Sequence, residues 1–299
     1  MNQLCSSFTR GRRICAIGIF DGVHKGHQAL LNEVLARAKK SNLIASVITF
    51  FPHPATVIAG IDIPLIMPVE KRVQFLENMG LEVCAVRFSK NFSKWTAKKF
   101  CESLKLIGVE QIIVGEDFRC GKDSASGAFL KSIAEQSGIS LSLFQDIILS
   151  GERISSQRIR QALRDGNVVE AETMLGRRPT IYGVVKKGRR LGRKLGFPTA
   201  NFTSDSLNVF KAGVYVAQTH VSGERHWGLL FIGRRPTFNG RSLRAEIYLL
   251  NFEEVLYNKE IEVEVVSFIR GEKRFSSVEA LKDQIKKDER FLKKFIATG

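Results

Sequence analysis

The first half of the chain alternates short, almost wholly apolar runs with longer amphipathic ones, and few folds satisfy that alternation. Ile14–Ile19, Leu43–Phe50, Val83–Phe88, Gln111–Val114 and Leu141–Phe144 read as strands buried on both faces. Between them, Gln28–Lys40, Val69–Met79, Trp95–Leu106 and Gly127–Gln136 carry apolar residues at helical spacing. In the first of these, Leu30, Leu31, Val34, Leu35 and Ala38 share one helical face. Strands of this kind need helices above and below them, so the pattern predicts an α/β domain with a parallel sheet. Ligands of such sheets bind beyond the carboxyl ends of the strands.

Ser156–Arg164 and Val168–Leu175 continue the helical pattern, and it stops at Gly176-Arg177-Arg178-Pro179. Beyond that point Val214–Ala217, Ala245–Leu250 and Glu260–Val266 read as strands. In the last, Ile261, Val263 and Val265 alternate with Glu260, Glu262 and Glu264, the signature of a half-exposed antiparallel strand. Several such strands without intervening helices predict a small antiparallel β-barrel. Ser276-Ser277-Val278-Glu279 is a capping-box pattern, and the terminal helix it opens carries Leu281, Ile285, Leu292 and Phe295. At 299 residues the chain has room for two domains, and the change of pattern divides them as 1–176 and 177–299.

Composition narrows the partners. No apolar run approaches the ~20 residues needed to cross a bilayer. The polar, basic stretch Met1–Arg13 lacks the apolar middle of a signal peptide, so a cytoplasmic protein without a membrane partner is expected. A net charge of +16 attracts anions, nucleic acids and nucleotides alike. The cysteines Cys5, Cys15, Cys84, Cys101 and Cys120 are scattered and form no CxxC pair. That spacing predicts neither a disulfide framework nor a zinc site, and Cys15 and Cys84 read as small buried hydrophobes.

The run from Ala16 to His27 joins the first strand to the first helix and reads AIGIFDGVHKGH. Gly18, Gly22 and Gly26 allow backbone to approach a ligand closely, and the following helix N-terminus offers unpaired N–H groups to a phosphate. His24 and His27 add donors for charge on phosphate oxygens. Taken alone, the two histidines are equally compatible with a solvated turn; their place between a strand and a helix favours nucleotide binding.

GxFDGxHxGH is similar to the nucleotidyltransferase motif of the prokaryotic bifunctional riboflavin kinase/FMN adenylyltransferases, or FAD synthetases. Thr49-Phe50-Phe51-Pro52-His53-Pro54 resembles that family's TFxPHP segment, Val114–Gly121 its VGxDFxFG segment, and Ile154–Arg160 its ISSTxIR segment. The resemblance implies a Rossmann-like nucleotidyltransferase domain. It implies ATP contacts by Gly18, Phe20, Asp21, Gly26, Ser155 and Ser156, with His24, His27 and Arg160 acting on the phosphates. Pro52, His53, Asp117 and Phe118 would line the flavin pocket. Ile19, Cys120 and Gln157 depart from the family pattern. Arg160 on its own is as compatible with a solvated helix face.

A second motif, Gly188–Asn201, reads GRRLGRKLGFPTAN and follows Lys186 and Lys187. Glycines let a loop wrap polyphosphate, and cations neutralise it. Thr199 and Asn201, two apart in an extended segment, project to the same side and suit magnesium held mainly by phosphates and water. LGFPTAN resembles the metal- and ATP-binding motif of the flavokinase family. The resemblance implies ATP contacts at Gly188, Arg189, Gly192, Gly196 and Pro198, Mg2+ at Thr199 and Asn201, and flavin contacts at Arg270 and Glu272. It continues through Ala212–Tyr215, Ile232–Phe238, Ala245–Phe252, Leu256-Tyr257 and Phe268–Phe275. It casts Glu246 as the base for the 5′-hydroxyl of riboflavin, although the bare pattern would make Glu246 an exposed strand residue. Phe231, Asn251 and Asn258 depart from the pattern, and Phe252, Tyr257 and Phe275 fit either a flavin wall or ordinary core.

The expected function is therefore conversion of riboflavin to FMN and of FMN to FAD with Mg-ATP. One alternative is a riboflavin kinase whose adenylyltransferase site has decayed at Gln157 and Cys120. The other is a basic nucleic-acid-binding protein, which predicts a cationic stripe with stacking aromatics. The basic residues cluster instead at the glycine loop and on the last helix, where Lys286, Lys287, Arg290, Lys293 and Lys294 read as a solvated face, so no nucleic-acid partner is expected. The oligomeric state stays open.

Overall fold

The computed structural model describes residues 5, 8–187, 192, 195–237, 240–252, 254 and 256–298. Cα packing divides the chain into two units, one running to Ile63 with Val69–Ser155, the other Pro64–Pro68 with Ser156 onward.

The first unit holds a five-stranded sheet in the order β3-β2-β1-β4-β5. Its strands are β1 (Arg13–Ile17), β2 (Ile44–Phe51), β3 (Glu82–Arg87), β4 (Val109–Gly115) and β5 (Ser140–Phe144), all paired in parallel. Alternation along β1 explains why both faces must be covered. Cys15 and Ile17 enter one apolar core, Ile14 and Ala16 the other. The second core is filled by α1 (Lys25–Ser41) through Leu30, Leu31, Val34 and Ala38, and by Leu76 of α3 (Val69–Asn78). The first core takes Phe100 and Leu104 of α4 (Ala97–Leu106) and Leu130 and Ile133 of α5 (Gly127–Gln136).

Every strand and helix expected in this half is present, with ends shifted by a few residues. The sequence pattern did not reveal α2 (Pro54–Ala59), which follows a cis Phe51–Pro52 bond. Nor did it reveal the hairpin of β6 (Ile148–Leu149) and β7 (Glu152–Arg153), turned by Ser150 and Gly151 at positive φ.

The cysteine expectation needs correction. Cys84 is not a free apolar filler but is disulfide-bonded to Cys5, at a sequence separation of 79, too far for spacing to signal. Thr9 and Arg13 fasten the same arm to β3 through Glu82, at 2.6 and 2.9 Å. Cys15, Cys101 and Cys120 are free and buried, and burial pushes the Cys15 thiol up to about 12 and the Cys101 thiol up to about 11.

The second unit is a closed antiparallel barrel in the order β10-β11-β12-β9-β8-β13. Its strands are β8 (Thr180–Lys186), β9 (Thr199–Thr203), β10 (Gly213–Val221), β11 (Glu224–Thr237), β12 (Gly240–Leu249) and β13 (Glu260–Gly271). Ile261, Val263 and Val265 of β13 are buried while Glu260 and Glu262 are exposed, as the alternation predicts. Leu230, Ile232, Ala245 and Ile247 are likewise buried. Val214, Val216, Leu229 and Val266 form a separate cluster with Leu292, packed by Phe295, of the terminal helix α8 (Val278–Thr298). Its cap lies one residue later than the capping-box reading: Ser277, not Ser276, accepts from the Ala280 N–H at 3.1 Å. The helices α6 (Ser156–Asp165) and α7 (Val168–Leu175) pack with the barrel, and the Lys211 N–H donates to the Leu163 carbonyl at 3.1 Å. The break in sequence pattern lies about twenty residues beyond the start of this unit at Ser156, at Gly176.

Candidate active sites

In the first unit, β1 pairs with β2 on one side and β4 on the other, so the chain reverses its winding at the carboxyl ends of β1 and β4. That is where an open α/β sheet forms its ligand crevice. The turn after β1 occupies this place. Phe20, Gly22 and Val23 all adopt positive φ, a conformation costly for Phe and Val and characteristic of functional turns. The bend is held by the Val23 N–H to the Phe20 carbonyl at 3.0 Å and by Gln28 Nε2 to the Val23 carbonyl at 2.8 Å. A Cβ on Gly26 would lie 3.2 Å from the His24 ring, and one on Gly18 equally close to the Phe20 ring.

His24 caps α1, its Nδ1 accepting from the His27 N–H at 3.2 Å. The two imidazoles stack with centroids 3.6 Å apart, and Phe20 meets His27 edge-on at 5.1 Å. His27 is half-buried, but its Nδ1 is shut off from solvent and has no hydrogen-bond partner. Burial, then the charges of His24, Arg72 and Arg153, hold His27 well below the usual histidine range. His24 and Asp21 are buried as well. The histidines are thus not side chains of a solvated turn.

Thr49 ties the second motif to this turn, its hydroxyl donating to the Ile19 carbonyl at 2.8 Å. Pro52 is exposed, and His53 caps α2 by accepting from the Ala55 N–H at 3.1 Å. Past β4, Phe118 packs against the core while Asp117 pairs with Arg153. Arg153 also binds Asp146 at 3.1 Å, and the bond to Asp117 raises its guanidinium further. Cys120 is buried in the core, so its departure from the family pattern falls on packing. In the second unit Ser156 begins α6, with Ser155 just before it. Arg160 is 9% exposed, and its Nε donates to the Pro64 carbonyl at 2.8 Å, which rules out a solvated helix face. Gln157 is exposed.

In the barrel, β9 and β12 bring the second motif to Glu246. Asn201 stands opposite Glu246 in the ladder and Thr199 opposite Tyr248. The Thr199 hydroxyl donates to Glu246 Oε2 at 3.2 Å. Glu246 is half-buried, with Ala245 and Ile247 turned into the interior. Upstream, the Leu195 and Phe197 N–H groups both donate to the Gly192 carbonyl, at 3.0 and 2.8 Å. A Cβ on Gly192 would sit 2.4 Å from the Phe197 carbonyl oxygen, so the loop can close only on glycine. Gly196 takes positive φ, Pro198 is exposed, and Gly188 and Arg189 lie outside the described residues.

Glu272 and the Phe231 ring both border Gly233, and Phe231 pairs with Glu246 across the ladder. Arg270 is engaged by Asp288 of α8, Nη2 to Oδ2 at 2.7 Å, so the terminal helix holds its guanidinium. Phe252 meets His226 at 5.0 Å, and Tyr257 and Phe275 are partly buried. Thr199, Asn201 and Glu246 offer oxygen donors of the kind a hard divalent cation accepts. Among the described residues, no group of three or more His, Cys, Asp or Glu side chains forms a metal cage.

Sequence reasoning missed Arg72 and Arg153. Arg153 gave no signal, because a two-residue hairpin strand has no readable period. Arg72 did, since it lies four residues before Leu76 on the buried stripe of α3.

A parallel α/β sheet with a glycine-rich turn at its switch point, followed by a small barrel with its own glycine loop, is the architecture of a fused transferase with two nucleotide-handling domains. Family models agree: that of FAD synthetase matches residues 8–158 and that of riboflavin kinase residues 175–296. The bifunctional riboflavin kinase/FMN adenylyltransferase of Escherichia coli K12 is 36% identical over 94% of this chain and 92% of its own length. The Listeria monocytogenes protein of the same name is 32% identical over 95% and 93%. The chain belongs to the bifunctional riboflavin kinase/FMN adenylyltransferase family and contains both of its enzymatic domains. A crystal structure described as a macrolide-efflux protein from Streptococcus pneumoniae superposes with a TM-score of 0.85 at 30% identity, covering 96% of each chain. That description is of the other protein; no helix among the described residues here is long and apolar enough to cross a membrane.

Proposed function

We propose that the chain makes FMN from riboflavin in its C-terminal domain, 177–299, and FAD from FMN in its N-terminal domain, 1–176. The observation that carries this reading is that motif residues distant in sequence meet within each unit. Thr199, Asn201 and Glu246 gather on neighbouring barrel strands, and the His24–His27 turn joins Thr49 at one edge of the sheet.

In the kinase step Glu246 accepts the proton of the riboflavin 5′-hydroxyl. The freed oxygen bonds to the γ-phosphorus of ATP, and ADP leaves with the electron pair of the broken bond. Thr199 orients Glu246 by donating to Oε2. Thr199 and Asn201 would hold Mg2+, which supplies charge neutralisation on the phosphates when bound. Gly192 and Gly196 let the loop follow the nucleotide. Glu272, beside Gly233, borders the flavin.

In the adenylyl step an FMN phosphate oxygen bonds to the α-phosphorus of ATP, the bond to the β-phosphate oxygen breaks, and pyrophosphate leaves. Here catalysis is positioning and charge stabilisation: His24 and His27 donate to phosphate oxygens, and the N-terminus of α1 adds its N–H groups. Gly18, Phe20, Asp21 and Gly26 shape the turn, Ser155, Ser156 and Arg160 bind the triphosphate, and Pro52, His53, Asp117 and Phe118 line the flavin side. A cytoplasmic location suits this chemistry.

Incubation with riboflavin and Mg-ATP, followed by chromatography, should yield FMN and then FAD. His27→Ala should stop FAD formation from FMN and spare the kinase, whereas Glu246→Gln should do the reverse. Loss of both activities from either substitution in a folded protein refutes the separate-site assignment.

A further inference from the structure

Arg72 lies outside the glycine-rich and histidine motifs of the sequence, yet its side chain is 1% exposed. Its Nη2 donates to the Phe50 carbonyl at 3.0 Å, while Nε and Nη1 meet no acceptor among the described residues. Burying a guanidinium is costly, and leaving its donors unmatched adds to that cost; Arg13 leaves only Nε open beside its ion pair with Glu82, whereas Arg72 leaves two donors of one fork open. Phe50 is near the carboxyl end of β2, the same edge at which Thr49 grips the turn after β1. Another buried nitrogen without a partner, His27 Nδ1, belongs to that turn. The Arg72 charge acts on His27, and the carboxylates acting on Arg72 are Asp21 and Glu70.

Two unmatched cationic donors beside a phosphate-binding turn call for an anion with several oxygens. We infer that Arg72 binds the phosphate chain of the nucleotide at the adenylyl-transfer site, with Nε–H and Nη1–H donating to non-bridging oxygens beside His27. This rests on the adenylyltransferase reading of that edge. As the α-phosphorus bonds to the FMN phosphate oxygen and pyrophosphate departs with the electron pair, Arg72 supplies fixed positive charge and exchanges no proton. The bond from Nη2 to Phe50 fixes the guanidinium at this edge of the sheet before the nucleotide arrives.

The test uses the full chain with Arg72→Ala and Arg72→Lys, assayed for FAD formation and for pyrophosphorolysis of FAD. Arg72→Ala should lower kcat for FAD formation by roughly 100-fold, as removal of a transition-state donor does. It should also raise KM for pyrophosphate in the reverse direction and leave riboflavin phosphorylation unchanged. Added guanidinium ion should restore part of the lost rate, and Arg72→Lys should retain more activity than Arg72→Ala. The inference is overturned if Arg72→Ala makes FAD at the unaltered rate. It is equally overturned if the loss is untouched by guanidinium and accompanies a lowered melting temperature in both variants, which marks a structural role. If the unaltered chain makes no FAD, the adenylyltransferase reading itself fails; if it does, only the assignment of Arg72 is at stake.

Discussion

The stacked pair His24 and His27, 3.6 Å apart, cannot accept two protons cheaply, because like charges at that distance repel strongly in a poorly solvated site. Burial, then the charges of His24, Arg72 and Arg153, hold the His27 imidazole well below its ordinary value of 6.5, so it is neutral at about pH 7. The unfolded chain takes up a proton there once the pH falls below 6.5, so the unfolded state then binds more protons than the folded one. The stability this neutral imidazole permits is complete above 6.5 and declines as acid is added. Accordingly, the melting temperature of the N-terminal domain without nucleotide should fall between about pH 7 and about pH 5, and His27→Gln should flatten that fall; parallel slopes would count against it. His24, His27 and Thr199 stood out in the sequence because glycine and proline punctuate the segments that hold them, whereas Glu246 was singled out only through the family resemblance. Arg72 offered only its place on the buried stripe of α3, and a cation there reads as solvent-facing until the sheet beneath it is known.

Among the elements, α8 shows how a charged residue can hide within an apolar stripe. Leu281, Ile285, Asp288 and Leu292 recur at helical spacing, and Asp288 is buried together with Leu292 while Leu281 and Ile285 are half-buried. There it takes Arg270 of β13 and the Gln284 amide, at 2.7 and 2.8 Å. Asp288→Ala leaves a half-buried guanidinium without its partner and should cost about 3 kcal/mol of barrel stability. Ser277→Ala, which removes only the cap, should cost about 1 kcal/mol. Thermal melts of the two variants decide the order; a larger loss for Ser277→Ala would show that the ion pair is idle. The strands least readable in the sequence, β8 and β11, carry glycine where the barrel needs closeness. A Cβ on Gly183 would stand 2.8 Å from the Thr203 oxygen, and one on Gly228 only 2.4 Å from the Tyr248 oxygen. Glycine weakens a strand's pattern for the same reason that it lets these strands approach.

Across the whole molecule the two halves differ in how their sheets end. The barrel closes on itself and has no edge, whereas the parallel sheet ends at β3 and β5. At β3 the N-terminal arm is fastened by the Cys5–Cys84 bond and by Glu82. A cross-link spanning 79 residues constrains the unfolded chain by on the order of 4 kcal/mol in the loop-entropy account. Reduction, or Cys5→Ser, should therefore lower the melting temperature of the N-terminal domain and leave that of the barrel in place; a shift in both transitions, or in neither, would refute this. The alternation of runs in the sequence foretold both architectures, but not the staple, whose ends meet only after the sheet has assembled. All the cysteines lie at or before residue 120, so the barrel contains none. A thiol-reactive dye under reducing conditions would consequently report breathing of the parallel sheet alone, giving a one-sided clock for local opening in the intact polypeptide.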